Sequence, residues 1–142
     1  MSAAAPRTTA PPRRLWRTSA VLMWVVAAAF GLPAVPVAVY LLRHGQLPWF
    51  GDLFPMYGGP IDAWVGTTGY AVLILLFGIL TLIEAAIAAL LWNGRPAGAV
   101  LSLALLPVEI AFWAGFALPI PPLVAAVRLT ITLLAWHRTR RS

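Results

Sequence analysis

The sequence predicts an all-α membrane protein: an antiparallel bundle of four transmembrane helices with both termini in the cytoplasm. Three observations lead there. Of 142 residues, 61% are apolar and 10% charged, with a mean hydropathy of +0.87. A soluble domain of that length cannot hide so much hydrocarbon, whereas a bilayer accepts it on every side of a helix. Four apolar runs recur along the chain, and the arginines gather at their ends. The chain is therefore expected to be a multi-pass protein of the inner (plasma) membrane, its first partner the lipid bilayer.

Residues 1–17, rich in Pro, small polar residues and Arg, read as a disordered basic cytoplasmic tail. A membrane domain is expected over 18–137. Its first span covers 18–42 and should kink, because Gly31, Pro33 and Pro36 interrupt it and neighbouring helices must then satisfy the freed carbonyls. That run exceeds the hydrophobic region of a signal peptide, about 7–15 residues, which argues against cleavage. The second span covers 66–92, the third 97–118 and the fourth 121–136. Asn93-Gly94-Arg95-Pro96 and the Pro119, Pro121, Pro122 cluster supply tight turns between them, and 138–142 form a basic cytoplasmic tail.

The fourth span is short and contains Arg128, so topology decides it. Four crossings keep Arg7, Arg13, Arg14, Arg17, Arg95, Arg138, Arg140 and Arg141 inside and leave Arg43 outside, as the positive-inside rule favours. The same distribution explains the net charge of +6 without nucleic acid, since no basic face with interleaved aromatics lies on a soluble element. Close helix contacts are expected at Ala85, Ala86, Ala88 and Ala89 and at Ala111, Ala114 and Gly115.

Glu84, Glu109 and Arg128 lie within apolar runs and should turn inward, because a charge facing lipid costs several kcal/mol. Counted from the cytoplasmic ends, Glu84 and Arg128 are each ~13 Å deep and Glu109 ~19 Å. Glu84 and Arg128 are thus expected to pair, with Glu109 a turn further out. Thr81, Ser102 and Thr132 fall on the same helix faces, extending the ligand or ion-pair seam. Two carboxylates beside one guanidinium leave a negative excess, met by a proton, a cation or an outside arginine.

The outer loop over 43–65 carries Trp49, Phe50, Phe54, Tyr57 and Trp64, with Asp52 and Asp62, among Gly and Pro turns. Its rings are expected at headgroup level, where the loop forms an interface or a lid. His44, Asp52 and Asp62 are too irregularly spaced to predict a metal site. With no Cys, no nucleophile elbow and no phosphate loop, no catalytic residues and no cofactor are expected.

Leu106-Pro107-Val108-Glu109 with the following Phe112-Trp113 resembles the Pro-x-Glu-Glu-aromatic motif of small membrane lycopene cyclases, but Ile110 takes the second acidic position and no activity is carried over. Small multidrug transporters place their key Glu in the first helix, where this chain has no acid. The Gly51-Asp52-Leu53-Phe54-Pro55-Met56-Tyr57-Gly58-Gly59-Pro60 loop and the Leu-Pro-Val-Glu helix resemble those of small four-helix actinobacterial membrane proteins of uncharacterised role. The use of Arg without Lys fits such a GC-rich source. The expected function is a non-catalytic accessory or structural membrane subunit, with a protein partner or further copies of itself. The alternative is small-ligand or proton-coupled binding at the buried seam.

Overall fold

The computed structural model describes residues 13–140, which form α1 (Arg13–Gly31), α2 (Ala34–His44), α3 (Asp62–Trp92), α4 (Pro96–Gly115) and α5 (Ile120–Arg140). A small hairpin, β1 (Trp49–Phe50) and β2 (Phe54–Pro55), lies between α2 and α3. The chain is mostly helical, and four helical units are long and apolar enough to cross a membrane, α1 and α2 together making the first. Residues 1–12 of the expected tail lie outside the described residues. Its last five do not form a tail: α1 already begins at Arg13, and Trp16 is buried. At the other end α5 continues through Arg138 to Arg140, which leaves only 141–142 outside the description.

Each span buries one seam in steps of four and three, the spacing that keeps a stripe facing its neighbours. On α3 the seam is Tyr70, Ile74, Phe77, Thr81, Glu84, Ala88 and Leu91. On α4 it runs through Ser102, Glu109, Trp113 and Phe116, and on α5 through Pro121, Ala125, Arg128, Thr132 and Ala135. Trp16, Ala20, Met23 and Ala27 on α1 continue in step into Ala34, Val37 and Leu41 on α2. The break at Leu32-Pro33 therefore bends the first span without rotating its seam away from α3. The opposite faces are also apolar, with Leu82 and Leu123 exposed by 71% and 70%, as lipid-facing helix surfaces are.

Helix α3 is the central element, packed against α1, α2 and α4, while α5 fits between α1 and α4. Gly31 and Gly78 permit the closest approaches of the first span to α3, meeting Thr81 and Ala34 respectively. The expected small faces are only half used: Ala88 and Gly115 are buried, whereas Ala86, Ala89, Ala111 and Ala114 face outward. A run of alanines carries no phase of its own, and the larger seam residues determine which face turns in.

Both interhelical turns end the preceding helix in a left-handed residue. After α3 this is Gly94, with Arg95 N–H donating to the Leu90 carbonyl at 3.0 Å. After α4 it is Ala117, with Leu118 N–H donating to the Trp113 carbonyl at 2.9 Å. The third helix consequently stops at Gly115, short of the expected 118.

The connection between α2 and α3 is folded. Gly51 and Asp52, both at positive φ, make the tight turn that pairs Phe50 with Phe54 and Trp49 with Pro55. Gly59 then lies flat on the end of α4, where an added Cβ would fall on the Gly115 carbonyl oxygen and the Phe116 backbone. Gly45, at φ 68°, has open space around it instead. Gly59→Ala is therefore expected to destabilise the fold by about 1–3 kcal/mol through overpacking against backbone that cannot yield. Gly45→Ala should cost only the smaller left-handed strain, about 1 kcal/mol. Reversible unfolding in mixed detergent micelles compares the two, and equal losses would contradict the close packing at Gly59.

Candidate functional site

Midway along α4 and α5 the buried seams carry Glu109 and Arg128. The guanidinium donates from Nη2 to Glu109 Oε2 at 2.8 Å and from Nη1 to Oε1 at 3.4 Å, with the two residues 4% and 0% exposed. This two-pronged contact is the geometry in which Arg binds carboxylate best. The pair differs from the one expected by depth, Glu84 with Arg128. Counted from the connection they share, Glu109 is ~9 Å from the end of α4 and Arg128 ~12 Å from the start of α5. Depths taken separately from the far ends carry the error of every helix length. Depths taken from the common turn do not.

Glu84, on α3, is 1% exposed and lies close enough to interact electrostatically with both members of the pair. Its Oε2 has no hydrogen-bond partner, nor do Ser102 Oγ and Arg128 Nε. Three groups of charge thus meet from three helices, and the single guanidinium is committed to one of the two carboxyls.

The predicted hydroxyls are all buried, but Thr132 and Thr81 serve separate contacts and Ser102 makes none. Thr132 Oγ1 lies 2.6 Å from Ser19 Oγ and joins α5 to α1. Thr81 Oγ1 donates to the Gly78 carbonyl at 2.7 Å and fills the space over Gly31. Ser19 was not among the expected residues. Its signal is present in the spacing, since it is one turn beyond Trp16 on the same face, although it stands at the very start of the expected span 18–42. Trp24 adds a further cross-link, its Nε1 donating to the Ala85 carbonyl at 2.9 Å.

Of the residues expected in the outer loop, Trp49, Phe50, Asp52 and Phe54 lie in the α2–α3 connection and Asp62 and Trp64 in the first turn of α3; all are exposed, Trp64 by 87%. Tyr57 is not a surface ring: it is 3% exposed. Its hydroxyl donates to the Phe30 carbonyl at the break in the first span, and the Tyr70 hydroxyl donates to the Tyr57 carbonyl. Pro33 and the helix end leave carbonyls there without intrahelical donors, and the loop supplies one. Burial pushes the Tyr57 phenol above its ordinary pKa, so it remains a neutral donor. Around it Phe77, Phe116 and Tyr70 stack edge to face at 5.4–6.0 Å. No three His, Cys, Asp or Glu side chains come together among the described residues.

Four membrane-length apolar helices with ionisable residues buried between them describe a multi-pass membrane protein. No family model matches the chain, and no curated protein or solved structure is significantly similar to it.

Substitutions should separate the two carboxyls. Arg128→Met leaves both without a cation and is expected to cost about 3 kcal/mol of stability. Glu109→Gln should cost less, because Glu84 is near enough to take over the guanidinium. Glu84→Gln, which removes the carboxyl with the free oxygen, should be close to neutral. Unfolding midpoints in detergent rank the three; equal losses at Glu84 and Arg128 would refute the assigned pairing.

Proposed function

We propose that the chain is a non-catalytic accessory subunit of a plasma membrane, built as an antiparallel four-helix bundle with both termini in the cytoplasm, which acts by packing against another membrane protein. The observation that carries this reading is that the buried Arg128 guanidinium is spent on a carboxylate of the neighbouring helix. Arg128 of α5 is clamped on Glu109 of α4 and Thr132 of α5 lies against Ser19 of α1, each contact joining two helices, while Thr81 spends its hydroxyl on the backbone of its own helix. Chemistry or transport would need these groups turned toward a substrate. The outward small faces at Ala86, Ala89, Ala111 and Ala114 support the partner: with no side chain beyond Cβ, they let a further helix approach closely.

The orientation is supported by residue order and charge. Arg17 stands 4.9 Å over the Trp92 ring, Trp24 meets Ala85, and Gly31 meets Thr81, so contacts descend α3 as they ascend α1. In that arrangement the arginines of the termini and Arg95 share one membrane face and Arg43 has the other. Reporter fusions at residue 142 and in the Asn93–Pro96 turn are expected to read as cytoplasmic, and one between His44 and Trp49 as external. An external C-terminus would eliminate the four-crossing topology.

Cross-linking in native membranes should then capture the same protein with wild type and with the Glu109→Gln/Arg128→Met double variant, since the pair orders the bundle rather than contacting the partner. Loss of capture by a folded, inserted double variant would count against the accessory role. A second reading, proton or small-cation binding at the seam, is favoured by one observation: the unpartnered, buried Glu84 Oε2. Under it, a protonated-carboxyl infrared band should change in intensity with pH and disappear in Glu84→Gln. A band insensitive to pH speaks against it.

A further inference from the structure

Where the break in the first span meets the hairpin and the α4–α5 connection, the helices leave a cavity of about 540 Å³. Ala29, Phe30 and Pro33 form one wall, Phe54 and Met56 a second, and Ile120 stands on the third. The volume falls within the roughly 300–1,000 Å³ typical of small-molecule sites. We propose that this cavity binds the hydrocarbon chain of a bilayer phospholipid, an inference that rests on the chain being membrane-embedded.

Contacts within and behind the lining hold the walls apart. The Tyr57 hydroxyl ties the loop to the Phe30 carbonyl, the Tyr70 hydroxyl ties Tyr57 to α3, and Gly59 is seated on the end of α4. The Tyr57 side chain, which could otherwise turn into the space, is thus held on the Phe30 backbone.

The chemistry of the lining selects the occupant. It carries no Asp, Glu, His, Lys or Arg, so it offers nothing to an ion or a charged headgroup. Its single side-chain hydroxyl, on Tyr57, is already used. Water needs two to four polar partners to be held in such a space and would find too few. An empty cavity would forfeit dispersion contacts along the whole lining, which a methylene chain restores. Access is also apolar: Leu32 and Leu53, each beside a lining residue in sequence, are 78% and 74% exposed. A chain can therefore enter from the surrounding hydrocarbon without crossing a polar surface.

The test uses the full chain reconstituted in phosphatidylcholine vesicles containing a trace of phosphatidylcholine with a diazirine on its acyl chain. After photolysis, peptide mapping is expected to find several-fold more adducts on 29–33 and 54–58 than around Leu82 and Leu123 on the outward helix faces. Ala29→Trp starts from an exposed position on the cavity wall and should abolish that excess while leaving the Leu82 and Leu123 adducts unchanged. Ile120→Trp, from the opposite wall, should do the same and serves if the first variant misfolds. Even labelling over all segments, or an excess that persists in a folded Trp variant, overturns the proposal. Absence of adducts at Leu82 and Leu123 would instead overturn the membrane reading itself.

Discussion

Arg128 is the residue on which the fourth helix depends. Its span is the least apolar of the four, with a hydropathy of 1.4 against 2.6 for the second, and an unpaired guanidinium at that depth would favour leaving the membrane. The two-pronged contact with Glu109 offsets part of the penalty on both groups together, in a setting where neither has water to fall back on. Pairing also fixes geometry. A planar guanidinium meets a carboxylate in few orientations, so the contact sets the rotation of α5 against α4 as well as its height. Since α5 touches α1 as well, through Thr132 and Ser19, that rotation is transmitted to the first span and closes the four spans into one bundle.

The interior is layered around this pair. One end of the bundle is aromatic, where Tyr57, Tyr70, Phe77 and Phe116 meet beneath the hairpin. The other is built from Trp16, Met23, Ile87 and Leu91 with small residues between them. In a bilayer there is no hydrophobic force to bring such surfaces together, because lipid tails are as apolar as Leu. Close packing and polar contacts must supply the association. The ring contacts, the Gly31 and Gly78 approaches and the ionic tier therefore carry a burden that core hydrophobicity would carry in water.

How much of this was legible follows from what each feature depends on. The four spans follow from composition and length, and the kink from Pro33, because both are local. The polar seam was legible because Thr81 to Glu84, Ser102 to Glu109 and Arg128 to Thr132 are spaced by three, seven and four, steps that stay on one face of a supercoiling helix. The partner within the seam was not, because pairing depends on relative helix heights, and these are set by the turn at Ala117. A left-handed alanine has no sequence signature: glycine would have announced the end of α4 at Gly115, and alanine does not. Tyr57 was misassigned for a related reason. An aromatic in a Gly- and Pro-rich outer loop has the composition of an interfacial anchor, and only the three-dimensional placement of the Phe30 carbonyl shows where its hydroxyl goes. Its own φ of 56°, unusual for a bulky residue, is held by hydrogen bonds at both its hydroxyl and its carbonyl.

Glu84 then stands out by what the structure does not ask of it. Helix register is already fixed by Glu109 with Arg128 and by Ser19 with Thr132, so a second buried carboxyl adds nothing to packing that an Ile or Leu at the same seam position would not provide better. Its neighbours on the seam, Thr81 and Ala88, are committed to helix contact, and Thr81 spends its hydroxyl on its own backbone. Charge counting leaves one carboxyl more than the guanidinium can neutralise, because Arg128 is committed to Glu109. A purely structural tier needs only one acid, and the second stands buried against the pair without a cation of its own.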